Sequence, residues 1–130
     1  MNDLYQENIL EHASSFKNRG ELACDGCYSA KGNNPACGDS AQIFLNIDEQ
    51  MNIQDAKYTG TGCAISQASM SILIESIQNK NLKYLRSIMP GDIYKMLGIS
   101  ITPARVNCAL LSYRALEQVL IKYDTVNKGK

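Results

Sequence analysis

Three cysteines and one aspartate carry the chemistry that can be argued for this sequence. The first pair stands in Asn34-Pro35-Ala36-Cys37-Gly38-Asp39. Pro35 sets one backbone dihedral and withholds a donor, and Gly38 tolerates positive φ, so Cys37 and Asp39 can point the same way from a loop. A thiolate and a carboxylate facing one point are half of a metal site. Cys63 and Cys108 follow 26 and 71 positions after Cys37, each where a helix is expected to begin or has just begun. A thiol at a helix N-terminus meets the positive end of the backbone dipole, which favours the thiolate that a ligand or a nucleophile needs. With Asp39 the three cysteines make a sulfur-rich set of four. Zinc accepts such a set tetrahedrally, and an iron-sulfur cluster accepts the thiolates with oxygen as a weaker, more exchangeable ligand. The plain alternative is that free cysteines are small buried apolar residues, and spacing this wide does not decide between the two.

The elements that must position these residues are read from periodicity. Asp3 can cap a first helix carrying Tyr5, Ile9 and Ala13 at helical spacing, widened by Leu4 and Leu10 and ending near Ser14 or Ser15. The stretch from Phe16 to Asn34 has glycines, asparagines and charges without a sustained period, so a long mobile loop is expected to lead into the Cys37 turn. Ala41, Ile43, Leu45 and Ile47 alternate as in a half-buried strand, Asp48 to Asn52 reads as a turn, and Ile53 to Thr59 alternates more weakly as a returning antiparallel strand. Gly60-Thr61-Gly62 then delivers Cys63 to a helix with Ile65, Ala68, Ile72, Leu73 and Ile77 as its stripe. Two short helices are expected over Asn81 to Ser87 and Asp92 to Leu97, separated by Pro90-Gly91 and stopped by Gly98. Thr102-Pro103 predicts a capping hydroxyl and a proline opening one last helix, with Val106, Ala109, Leu110, Tyr113, Leu116, Leu120 and Tyr123 buried and Arg105 and Cys108 sharing another face. A frayed polar end is expected from Thr125 to Lys130.

A chain of 130 residues suits one domain spanning 1–130. Thirteen basic residues balance thirteen acidic ones, which recommends neither nucleic acid nor an anionic membrane as partner. No apolar run approaches the length of about 18 residues that a spanning helix needs, and no basic-then-apolar signal opens the chain, so a cytoplasmic protein is expected. Five cysteines, an odd number without a secretory signal, argue against a disulfide framework and for reduced thiols used in packing, metal binding or nucleophilic chemistry.

Asn34-Pro-Ala-Cys-Gly-Asp39, Gly60-Thr-Gly-Cys-Ala-Ile-Ser66 followed by Ala68-Ser69, and Arg105-Val-Asn-Cys-Ala-Leu-Leu111 resemble the three cysteine motifs of the IscU/SufU/NifU-N family of iron-sulfur cluster assembly proteins. Tyr5 to His12 with Asn18-Arg19-Gly20 resembles that family's first helix and following turn, so the likeness spans essentially the whole chain. It implies an α+β fold in which a small antiparallel sheet is packed by helices and the metal site lies at an exposed tip. Cys37, Asp39, Cys63 and Cys108 match the family's ligand positions. The implied activity is that of a scaffold or carrier: a pyridoxal-phosphate cysteine desulfurase passes persulfide sulfur to a scaffold cysteine, Cys108 here, and a labile [2Fe-2S] cluster is assembled and handed to apo iron-sulfur recipients. Zinc can occupy the same site. The alternative within the resemblance is a SufU-like zinc-dependent sulfurtransferase that accepts sulfur and activates the desulfurase without carrying a cluster. A third reading is a structural zinc domain acting as an interaction module. A weak homodimer is compatible with any of them.

Two departures from the family pattern bear on that choice. IscU-type members typically carry a histidine just before the third cysteine, whereas Asn107 stands here and His12, the lone histidine, belongs to the first helix. Arg105, three before Cys108, resembles the SufU-type pattern, yet the 45 positions from Cys63 to Cys108 leave no room for that subtype's insertion. The chaperone-recognition stretch of IscU-type members has no clear counterpart in Ile101-Thr-Pro-Ala-Arg105. Cys24-Asp25-Gly26-Cys27 is not explained by the resemblance: it is half a zinc site, a redox couple, or loop cysteines that happen to be close. His12 reads as a helix-face residue, and Lys57 and Lys95 as solvated surface.

Overall fold

A computed structural model describes residues 3–15, 17–34, 39–98 and 100–128, with side chains undescribed at 3–8, 33, 34 and 104. The proposed Asp3 cap and the apolar role of Tyr5 therefore fall outside the described side chains, and Cys37 falls outside the described residues. The chain forms α1 (Asp3–Ser14), β1 (Cys27–Asn34), β2 (Asp39–Ile47), β3 (Ile53–Thr61), α2 (Ala64–Ile77), α3 (Leu82–Ser87), α4 (Pro90–Leu97), a 3-10 turn (Pro103–Arg105), α5 (Val106–Ala109) and α6 (Leu111–Val126). The strands make one antiparallel sheet in the order β1-β2-β3. This is the small α+β fold anticipated from the sequence.

The β2 alternation places Ala41, Ile43, Leu45 and Ile47 in the core. Their partners on the same face are Gly32, Ala30 and Tyr28 of β1 and Gly60, Tyr58 and Ala56 of β3. On β3 a register shift between Asn46 and Ile47 lets Ile53 share the buried side with Ala56 and Tyr58 despite its odd spacing. That bulge is why the buried face could not be chosen from alternation alone. The hairpin turn is held by Asp48, whose Oδ1 accepts from the N–H groups of Gln50 at 2.9 Å and Asn52 at 2.8 Å.

β1 is a correction: the expected long loop ends at Cys27, and Cys27–Asn34 is an edge strand. CYSAKGNN offers only Tyr28, Ala30 and Gly32 toward the core, too small and polar a set to show a strand period, and its pairing comes from β2 and from α6 lying on it. Contact is so close at Gly32 that a Cβ there would meet the Ala115 backbone nitrogen at 2.7 Å. The outer edge of β3 is partly covered by the Asn18-Arg19-Gly20 segment, which exchanges two backbone hydrogen bonds with Tyr58.

Eight of the fourteen residues of α2 are buried, with Ala68, Met70, Leu73, Ile74 and Ile77 in the core and Ser66, Ser69 and Ser71 buried beside them. Ile65 and Ile72, expected on its buried stripe, are only half-buried. Contacts with α1, β3, α4, α5 and α6 surround it, so no single stripe defines its inside. Pro90-Gly91 opens α4 instead of separating it from α3, and Gly98 ends it at φ +71°.

The last helix also departs from expectation. Thr102 makes no side-chain cap, and the segment from Pro103 is a 3-10 turn, one turn of α5, and then α6 after a break at Leu110. At the break, Ser69 of α2 donates to the Ala109 carbonyl at 2.6 Å and meets the Ser112 hydroxyl. The buried residues of α6 are accordingly Leu111, Ser112, Ala115, Leu116 and Val119. Of the stripe predicted from Val106 to Tyr123, Ala109 and Leu116 are fully buried and the others only half-buried. Among the described residues no helix is long and apolar enough to cross a membrane.

Gly32→Ala tests the sheet-to-α6 contact. The added methyl has no space against the α6 backbone, so unfolding free energy is expected to fall by about 1–3 kcal/mol in chemical denaturation.

Candidate metal centre

At one end of the sheet β1 finishes, β2 starts and β3 finishes, and three of the four sequence-proposed ligands meet there. Asp39 is the first residue of β2, Cys63 is the N-cap of α2 two residues beyond β3, and Cys108 lies in α5. Their ligand atoms all lie within 4.8 Å of one another. Around one ion with tetrahedral bonds of about 2.0–2.3 Å the donors stand roughly 3.3–3.8 Å apart, so side-chain rotations of about an ångström close this set on a metal, and its sulfur and oxygen donors suit one chemically. The fourth, Cys37, precedes Asp39 by two positions in the sequence and lies outside the described residues.

The local causes can be traced. Gly62 lets the chain turn past the carboxylate, because a Cβ there would stand 2.9 Å from Asp39 Cγ, from Asp39 Oδ2 and from Ser66 Cβ. Ser66 is fully buried, and its hydroxyl donates to Asp39 Oδ2 at 2.8 Å. The same Oγ lies 3.6 Å from Cys63 Sγ. Ser69, one helical turn further, fastens the Ala109 carbonyl beside Cys108. Two serines three apart on α2 thus reach all three described ligands, directly for Asp39 and Cys63 and through the main chain for Cys108.

Burial works to raise the Cys63 thiol, but hydrogen bonds from the Ser66 N–H and hydroxyl, from the Cys108 thiol and from the Ile65 N–H outweigh it. Its pKa is lowered from the ordinary thiol value, the direction that suits a ligand. Cys63 is half-exposed, whereas Cys108 is 8% exposed.

The other singled-out residues lie elsewhere or play other parts. Arg105 is exposed on the 3-10 turn. The Asn107 side chain accepts from the Arg114 guanidinium at 2.8 Å. His12 joins α1 to α2 through Nδ1 and the Ser71 hydroxyl at 2.9 Å, with Glu75 at 3.9 Å, and takes no part in the cysteine group. Cys24 and Cys27 are not reduced thiols but a disulfide, a correction to the reading of all five cysteines as free. The Asp25-Gly26 turn sets their Cα atoms 5.1 Å apart, inside the range a bridge requires. Ser66 and Ser69 were missed as site residues. Their signal was present, since Ser66 follows Cys63 at helical i,i+3 spacing, but a serine there is equally a solvent-facing residue until the helix is known to be buried.

The chain belongs to the family of NifU-like N terminal domains, whose family profile matches residues 4–130. It is 33% identical over 144 residues to the zinc-dependent sulfurtransferase SufU of Bacillus subtilis, covering 98% of this chain and 96% of that one. It is 32% identical over 135 residues to the iron-sulfur cluster assembly scaffold protein IscU of Thermotoga maritima, covering 92% and 94%. A crystal structure from Fervidobacterium islandicum AW-1, described as an iron-sulfur cluster assembly scaffold protein for the SUF system, superposes with a TM-score of 0.70 at 29% identity over 85% of this chain and 92% of that one. The N-terminal part of a NifU-like protein from Brucella abortus shares the fold at a TM-score of 0.75 and 21% identity, over 95% and 96%.

Removing the Ser66 hydroxyl frees the Asp39 carboxylate to turn. Ser66→Ala is therefore expected to weaken zinc binding by about 10–100-fold in a competitive chelator titration, with the fold retained by circular dichroism.

Proposed function

We propose that this protein is an iron-sulfur cluster assembly scaffold, working in the cytoplasm with a pyridoxal-phosphate cysteine desulfurase as sulfur donor and apo iron-sulfur proteins as recipients. Its cargo is a labile [2Fe-2S] cluster held by Cys37, Cys63, Cys108 and Asp39. The observation that carries the reading is the convergence of Asp39, Cys63 and Cys108 at one end of the sheet in a chain of this family. Three thiolates hold iron firmly, and a carboxylate is the harder, weaker partner for it. Asp39 is then the ligand that lets the cargo leave.

Cys108 is the sulfur acceptor in this scheme. Its thiolate attacks the outer sulfur of the desulfurase persulfide, a sulfur-sulfur bond forms on Cys108, and the bond to the desulfurase sulfur breaks with the electron pair leaving on that cysteine. Because Cys108 is buried beside Asp39 and Cys63, sulfur arrives where the cluster is built. When zinc is bound instead, Cys37, Asp39, Cys63 and Cys108 hold it, and it keeps the thiols deprotonated.

A second reading is favoured by one specific feature. Asn107, where a histidine would offer a further ligand, is engaged with Arg114, and the chain is 33% identical to a zinc-dependent sulfurtransferase. On that reading zinc stays and only sulfur passes.

Anaerobic incubation with iron and sulfide, beside a desulfurase assay on the same preparation, separates the two. Cluster formation with its visible absorption is expected. Tight zinc with desulfurase stimulation and no cluster would select the second reading. Replacing Asp39 with Ala should lengthen cluster lifetime several-fold and slow its transfer to an apo recipient, followed by decay of the visible band. Mass spectrometry after incubation with desulfurase and cysteine should find the added sulfur first on Cys108. Sulfur found only on Cys37 or Cys24 would remove Cys108 from that role.

A further inference from the structure

The disulfide in Cys24-Asp25-Gly26-Cys27 has no part in the centre described above. Cys27 opens β1 opposite Asn46, whereas Asp39 lies at the far end of the same ladder opposite Asn34. The seven strand steps from Cys27 to Asn34, at about 3.3 Å each, put the two sites about 23 Å apart along the sheet. An intramolecular relay of sulfur from one to the other is out of reach.

The surroundings of the bond are those of an exchangeable pair, not of a staple. It closes a four-residue turn, the kind of short loop for which a crosslink constrains the unfolded chain least. The turn is held without it. The Cys27 N–H donates to the Cys24 carbonyl at 3.1 Å, and the Ile47 N–H donates to the Gly26 carbonyl at 2.9 Å. Gly26 sits at φ +86°, where any side chain would also stand 2.9 Å from the Ile47 carbonyl oxygen. Cys24 is exposed and Cys27 half-buried, so an incoming sulfur reaches Cys24 far more easily than its partner.

We propose that Cys24 and Cys27 form a second thiol centre, a reversible dithiol–disulfide couple that exchanges electrons with dithiols through the sulfur of the more exposed residue, Cys24. A thiolate of the incoming dithiol attacks Cys24 Sγ and bonds to it. The Cys24–Cys27 bond breaks, and its electron pair leaves on Cys27, which takes up a proton. The second thiol of the incoming molecule then loses its proton and attacks its own partner sulfur in the mixed disulfide, releasing Cys24, which is protonated in turn. Two electrons and two protons have passed to this chain, and the incoming dithiol has become a disulfide. In the reverse direction the reduced pair passes them on. Because backbone hydrogen bonds keep the turn, the two reduced thiols stay neighbours and closure is intramolecular.

The test uses the full chain with zinc bound, equilibrated against graded ratios of reduced to oxidised dithiothreitol, quenched by alkylation and mapped by peptide mass spectrometry. Cys24 and Cys27 are expected to change state together and reversibly, with zinc content and circular dichroism constant. A pair that stays oxidised until the fold is lost, or that is reduced at every ratio, would overturn the proposal. The direction of attack is read from two variants exposed to oxidised glutathione. Cys27→Ser is expected to form the mixed disulfide at Cys24 on the order of ten-fold faster than Cys24→Ser forms it at Cys27. Equal rates, or a faster Cys27, would overturn the assignment of Cys24 as the entry sulfur.

Discussion

The burial of helix α2 is the constraint on which the remaining structure depends. Packed against β3, α1, α4, α5 and α6, it buries eight of its fourteen residues, and the polar groups among those eight must be satisfied from within the protein. Its serines meet that requirement in three directions. Ser71 pairs with His12 of α1, Ser69 with the Ala109 carbonyl and Ser112 at the α5–α6 break, and Ser66 with Asp39 at the start of β2. Each hydrogen bond joins α2 to a different part of the chain. Two of the three end on residues of the metal centre or beside it.

This arrangement explains how a site drawn from three distant segments can be well placed. The N-cap position of α2 carries Cys63, and the end of β3 is joined to it through Gly62, which is small enough for Asp39 to lie against. The α5 turn carrying Cys108 is interrupted from α6 at the point where Ser69 reaches across. The three described candidate ligands are thus positioned by the serines of one helix, while the exchangeability proposed for the site rests on the chemistry of Asp39. Firm placement and weak oxygen ligation are separate properties, supplied by different residues. The opposite end of the sheet carries the Cys24–Cys27 pair on a turn with its own backbone support.

Much of the architecture was legible. Alternation in Ala41 to Ile47 identified β2, the Asp48 turn identified the hairpin, and glycine and proline marked α3, α4 and the approach to Cys63. β1 was not legible, because Tyr28, Ala30 and Gly32 are chosen to fit beneath α6 and not for strand propensity. The continuous final helix was expected because local propensity from Val106 onward favours one. The break at Leu110 is met by a hydroxyl from a residue forty positions earlier, which no local pattern contains. The bridge between Cys24 and Cys27 was obscured by arithmetic: an odd cysteine count spoke against a framework, while the Asp25-Gly26 turn needed only to join two neighbours.

By itself the sequence determined which residues are candidate ligands and their order along the chain, since Cys37, Asp39, Cys63 and Cys108 each stand in a recognisable motif beside a turn or helix start. It could not determine that Asp39, Cys63 and Cys108 share one point in space. Their separations of 24 and 45 positions constrain distance too weakly, and spacing of that kind is equally compatible with cysteines dispersed in a core. Only the tertiary structure decided the convergence, by closing the sheet end over the N-terminus of a buried helix. It also decided that Ser66 and Ser69 belong to the site, because a serine hydroxyl acquires a structural role only when burial removes water as its partner.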